Sequence, residues 1–194
     1  MNLRTVDAFL KGYKPAFLDI PLERWKTEHM EYLLETYPYV GQNDYDLLSG
    51  RPFYLFFQNE LIQSLFHAEV KRSGTLSAKE ADRILGTILG FPPKAVDFYV
   101  RMMEEERKGN IEEYHRLRGR KIGLIYCGCS FATDIEDLEI NALWLLDKYP
   151  YEEAKEDGMY IRLDGERIRV PIESYRQLAE FHESIRQRRG AVPV

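Results

Sequence analysis

The 194-residue chain has little with which to staple, span or ligate. Its only cysteines, Cys127 and Cys129, are one residue apart, so a bridge between them would close a small strained ring and join nothing distant. A disulfide framework is excluded, and reduced thiols are expected. No stretch approaches the roughly 18 consecutive apolar residues of a membrane helix. The opening Met1-Asn-Leu-Arg-Thr-Val-Asp7 also lacks the basic and then apolar order of a signal peptide. The expectation is a cytoplasmic protein with no membrane partner. Gly-x-Gly-x-x-Gly, a Walker lysine and Gly-x-Ser-x-Gly are absent, which removes the usual dinucleotide, nucleoside triphosphate and serine hydrolase signatures. Positive charge is not in excess either: 27 Lys and Arg stand against 32 Asp and Glu, for a net charge of −5. No global field therefore draws the chain to nucleic acid, and only local basic patches could do so.

What is present is a chain 44% hydrophobic, with 13 Tyr and 10 Phe, long enough to bury one core or two closely packed ones. Its patterning predicts an α+β protein: a helical lobe of five or six helices over residues 1–118, then a small lobe over 119–194 packed on it. Pro21, Leu22, Trp25, His29, Tyr32, Leu33 and Thr36 fall at helical spacing. Residues 39–52 are dense in Gly, Asn, Asp and Pro and read as a loop. Phe53 to Lys71 is apolar almost all round, as in the central helix of a bundle. Ser77-Ala-Lys-Glu80 has the spacing of a capping box and opens a helix to Gly90. Pro92-Pro93 starts another, which Gly109-Asn110 breaks, and a short helix runs to Arg118.

The second lobe reads as a β-α-β unit plus a hairpin, a three-stranded mixed sheet with a C-terminal helix. Lys121–Tyr126 has the length and β-branched content of a buried strand. Thr133-Asp-Ile-Glu136 has capping-box spacing, so a helix is expected over 133–148, followed by a strand from Met159 parallel to the first. Asp164-Gly165 is a strong two-residue hairpin signal. It pairs Arg162 with Arg167 and Tyr160 with Arg169, putting Tyr160, Arg162, Arg167 and Arg169 on one face. Pro171 opens the last helix, and the tail from Arg186 is expected to fray.

Two places could carry chemistry. If a helix starts at Thr133, its positive end faces the loop Cys127-Gly128-Cys129-Ser130. Cys129 or Cys127 is then a candidate nucleophile, with Ser130 and Thr133 as ligand contacts. Buried thiols filling space are the plainer alternative. The other place is the arginine ribbon, Tyr160, Arg162, Arg167 and Arg169, which Arg176, Arg186, Arg188 and Arg189 could extend. Directly opposed arginines need an anion, acidic partners or full solvation, and Glu152, Glu153, Glu156 or Asp157 could supply the acids from within the chain. Glu112-x-x-His115 has the spacing of a di-iron ligand pair, but no second such motif occurs, so no metal and no cofactor is expected. His67, with Glu60 and Gln63, reads as part of a polar network in the core. The leading functional expectation is binding of a partner protein or small-molecule ligand. A thiol-dependent enzyme is the first alternative, and nucleic-acid binding through the arginine ribbon the second.

Overall fold

The structure is a computed structural model that describes residues 3–21, 29–74 and 76–190. Among these residues the chain forms nine α-helices and seven strands in two antiparallel sheets. The helical lobe and the single mixed sheet that the sequence predicts are therefore both wrong in detail. The chain divides into two compact units, residues 8–90 and residues 1–7 with 91–194. No helix among the described residues is long and apolar enough to cross a membrane.

In the unit of residues 8–90, β1 (Ala16–Asp19), β2 (Tyr39–Gly41) and β3 (Tyr54–Phe57) form an antiparallel sheet in the order β1-β3-β2. The expected central helix over Phe53 to Lys71 thus divides into strand β3 and helix α3 (Glu60–Ser73), with α1 (Thr5–Leu10) and α2 (Met30–Thr36) preceding them. Tyr54-Leu-Phe-Phe57 is apolar at every position, and such a run cannot be assigned to helix or strand by periodicity alone. Its aromatics pack as strand residues do, with Leu55, Phe56 and Phe57 fully buried. Asn59 then caps α3 by accepting the Ile62 N–H. Far from being central, α3 leaves Leu61 and Leu65 exposed. Part of the helix expected from Pro21, residues 22–28, lies outside the described residues, and α2 covers its end. In α4 (Ala78–Ile88) both reciprocal bonds of the Ser77/Glu80 capping box are formed.

The other unit holds α5 (Pro93–Lys108), α6 (Ile111–Arg120), β4 (Lys121–Tyr126), β5 (Cys129–Asp134), α7 (Leu138–Lys148), α8 (Glu152–Asp157), β6 (Met159–Leu163), β7 (Glu166–Val170) and α9 (Tyr175–Gly190). Its sheet runs β5-β4-β6-β7, every pair antiparallel. The β-α-β reading fails at Cys127-Gly128. These residues have φ of 49° and 68°, the pair of positive values that a two-residue type I′ turn requires, so the chain reverses at once into β5. Cysteine is rare in that conformation, which hid the turn. Thr133 consequently lies in a strand. Asp134, not Thr133, caps the short 3-10 turn at 135–137, accepting the Glu136 N–H at 3.0 Å. The second hairpin matches the sequence reading: Asp164 and Gly165 have φ of 52° and 86°, and Arg162 pairs with Arg167 and Tyr160 with Arg169. The last helix begins at Tyr175 rather than at Pro171 and runs to Gly190; the rest of the tail expected to fray, 191–194, lies outside the described residues.

The alternation of the four strands divides the sheet into two faces. Leu124, Tyr126, Cys129, Thr133, Met159 and Ile161 are buried, as are Leu138, Ala142 and Leu145 of α7 and Leu178 and Ile185 of α9. Asn141 of α7 donates to the Thr133 hydroxyl at 2.7 Å, tying helix to sheet. The opposite face carries Lys121, Gly123 and Ile125 of β4, Ser130 and Ala132 of β5, Tyr160 and Arg162 of β6, and Arg167 and Arg169 of β7. None of these is buried.

Candidate anion-binding face

An open cleft of about 690 Å³ lies on this outer face. Arg118, Lys121, Arg162 and Arg189 bring positive charge to it, and Gly123, Ser130 and Ala132 are among its lining residues. Helix α6 runs into β4 without a connecting loop, which sets Arg118 and Lys121 beside the sheet. Arg162 comes from β6, opposite Gly123. A Cβ at Gly123 would stand 3.3 Å from the Cβ of Arg162, so the missing side chain is what lets the arginine stem lie flat there.

The ion pairs decide which cations are spoken for. In the basic run from Arg116 to Lys121, Arg116 is held by Glu113 at 2.6 Å and Arg120 by Asp134 at 2.6 Å. The Glu113 carboxyl, bonded by Arg116 and then by Arg101, is drawn down to about 2. Arg189 pairs with Asp164, the one carboxylate of the cleft, and donates to the Gly119 carbonyl at 2.7 Å. Arg188 pairs with Glu166, Arg186 with Glu136 and Glu183, and Arg176 with Glu180. Among the described residues, no carboxylate stands within ion-pair distance of Arg118, Lys121 or Arg162.

On the ribbon the Arg167 guanidinium lies over the Tyr160 ring, 3.8 Å from its centroid. Arg169 folds against Gly158, whose φ of +87° and missing Cβ leave room for the guanidinium. Of the acidic residues of α8, Glu152 binds Lys155 at 2.6 Å and Asp157 accepts the Leu3 N–H at 3.1 Å. The Tyr160 hydroxyl donates to the Asp157 carbonyl at 3.0 Å.

The cysteine loop is arranged otherwise than the sequence predicts. Cys127 and Cys129 are 1% and 0% exposed, and the helix N-terminus expected at Thr133 is not there, because Thr133 lies in β5 and α7 starts beyond Asp137. Tyr149, itself buried, is hydrogen-bonded to the Cys129 thiol, and burial foremost holds its phenol far above the ordinary value. Tyr126 donates to the Tyr149 carbonyl at 3.2 Å, and burial pushes its own phenol up to about 12. All four residues are buried inside the unit. Ser130 is exposed in the cleft and Thr133 is buried, so the two proposed contacts do not converge.

The histidines are engaged separately. His67 accepts or donates at 2.7 Å with the Tyr45 hydroxyl, while Gln63 donates to the Tyr39 carbonyl. His182 bonds the Ile135 carbonyl at 2.8 Å with Glu139 nearby at 3.6 Å. His115 is exposed, and no group of three His, Cys, Asp or Glu side chains converges as a metal site among the described residues. Arg118 and Lys121 are the cleft residues that sequence reasoning passed over. Their signal was the basic run itself, four cations in the six residues 116–121 leading into a strand.

No protein-family model matches the chain, and no curated protein or solved structure is significantly similar to it.

Proposed function

We propose that this protein is a binding module whose four-stranded sheet takes an anionic partner, one bearing several phosphates or carboxylates, on its outer face. The observation that carries the reading is the set Arg118, Lys121 and Arg162, three exposed cations with no carboxylate of their own around one cleft of an acidic chain. A protein of net charge −5 has acids enough to neutralise them, yet the acids near the cleft are committed to Arg189, Arg120 and Arg188. Guanidinium groups match phosphate and carboxylate oxygens through paired N–H donors, and Lys121 adds a compact charge. Like charges directly opposed in a ladder, as Arg162 and Arg167 are, disfavour the pair, and an anion beside Arg162 would offset that cost. Nothing comparable supports thiol catalysis, since neither sulfur is accessible to a substrate.

Titration calorimetry with inorganic tripolyphosphate at low salt tests the reading. Saturable binding is expected, weakening about tenfold for each cation replaced in Arg118→Gln, Lys121→Gln and Arg162→Gln. Equal affinity in parent and triple variant would refute it, as would the absence of binding at low salt.

A further inference from the structure

Resting on that reading, we propose that Asp164 is a built-in competitor for the cleft: its carboxylate holds Arg189 until an oligoanion, a ligand with two or more linked phosphates or carboxylates, displaces it and gains Arg189 as a fourth cation. Among the described residues Asp164 is the only acid lining the cleft, and its carboxylate bonds Arg189 alone. The hairpin does not depend on that carboxylate. Asp164 and Gly165 turn through their backbone, at φ of 52° and 86°, and Asn-Gly suits such a turn as well as Asp-Gly does. What the carboxylate does here is neutralise one cation of the site.

Arg189 stays in place when Asp164 lets go. Its Nε donates to the Gly119 carbonyl at 2.7 Å, and Gly119 lies in the chain between Arg118 and Lys121, so the guanidinium is anchored to the segment that carries two of the cations without a carboxylate. Its Nη1, the atom on Asp164, is the end that changes partner. Helix α9 and the hairpin keep a second tie, Arg188 to Glu166 at 2.8 Å, which the exchange leaves intact. The pair that opens is weak: the Arg189 and Asp164 side chains are 24% and 47% exposed, and pairs so open to water are worth about fivefold at most in an equilibrium constant. The exchange also selects the ligand. Asp164 is tethered to the cleft, so a separate anion competes poorly with it for Arg189, whereas a group linked to one already bound by Arg118, Lys121 and Arg162 competes at a comparable effective concentration. A single phosphate therefore binds with the pair closed, and an oligoanion opens it.

Titration calorimetry at low salt with inorganic phosphate and with tripolyphosphate, on the parent, Asp164→Asn, Arg189→Gln and the double variant, tests the proposal. Asp164→Asn removes a repelling charge in either background, and where Arg189 is present it also removes the competition. Its gain in tripolyphosphate affinity should therefore be about fivefold larger with Arg189 than with Arg189→Gln. Inorganic phosphate, which leaves the pair closed, should show only the smaller gain. Asp164→Gly, which also suits the turn, should match Asp164→Asn. Equal gains in the two backgrounds would make Asp164 no more than a nearby charge and overturn the proposal. Weaker tripolyphosphate binding by both Asp164→Asn and Asp164→Gly overturns it as well, since the carboxylate would then support the bound state. Either result, with tripolyphosphate still bound by the parent, leaves the anion-binding reading standing. Tripolyphosphate bound by neither the parent nor any variant ends both.

Discussion

Replacing Arg162 by Gln or by Glu should make the isolated protein more stable while loosening its hold on polyanions. Arg162 stands directly across from Arg167 in the β6–β7 ladder. Like charges opposed in this way cost about 0.2–1 kcal/mol. The Arg167 guanidinium is already engaged, lying over the Tyr160 ring 3.8 Å from its centroid, which puts the repulsion at the low end. Gln keeps the methylenes that lie against Gly123 and removes only the charge, so the gain should be about 0.3 kcal/mol. Glu turns repulsion into attraction and should gain about twice that. For a chain of this size these gains amount to roughly 1 °C and 2 °C in Tm. Urea melts at low salt and at about 1 M salt, where the Debye length falls to about 3 Å, give the assay. The order Glu, Gln, Arg should appear at low salt and collapse at high salt. A Gln variant less stable than its parent, or a gain that persists unchanged in 1 M salt, would refute the electrostatic account of this face.

Gly165→Ala introduces a Cβ into open space at φ +86°, so only backbone strain acts, and the loss should be about 1–2 kcal/mol in a urea melt; an unchanged midpoint would count against the I′ turn. Thiol reagents should label neither Cys127 nor Cys129 in the native protein and both in urea, and rapid native labelling of either would contradict their burial. Burial, with the charge of Asp134 next, raises the Asp137 carboxyl above its ordinary value, over the opposing pull of Lys94 and Arg120. A raised carboxyl contributes stability that is full below its unfolded value and lost as pH rises through its folded one. Asp137→Asn should therefore raise Tm slightly at neutral pH, with the difference closing as both carboxyl states protonate in acid. A loss of Tm at neutral pH would show that the ionised group is favoured.

The parts legible in the sequence were those whose signals are local and chemically specific. Ser77 and Glu80 satisfy each other's backbone within three residues, so their spacing predicts the helix start without tertiary help. Asp164-Gly165 fixes a turn, the turn fixes the register, and the register aligns the arginines. The errors arose where one pattern serves two structures. Tyr54–Phe57 and the helix after it form one apolar run, and only the neighbouring strands β1 and β2 decide the break. Cys129–Asp134 does alternate, with Ser130 and Ala132 outward and Cys129 and Thr133 inward, but the preceding Gly128 and the Ser and Thr within it gave it the look of a loop. For the site, the ribbon was visible and the cleft was not. Arg118 and Lys121 join it only because β4 pairs with β6 at a sequence separation of 35, from Ile125 to Tyr160, a contact that no local spacing encodes.

The strand order β5-β4-β6-β7 also has a kinetic meaning. β4–β5 and β6–β7 are each closed by a two-residue turn, and hairpins of that kind form in about 1–10 μs. The β4–β6 seam must instead wait until the chain carrying α7 and α8 has collapsed, and it bears the entropy of closing that long loop. Its closure should thus be the rate-limiting step of refolding, with substitutions at Leu124 and Ile161 slowing the forward rate and those at the hairpin tips chiefly hastening the reverse.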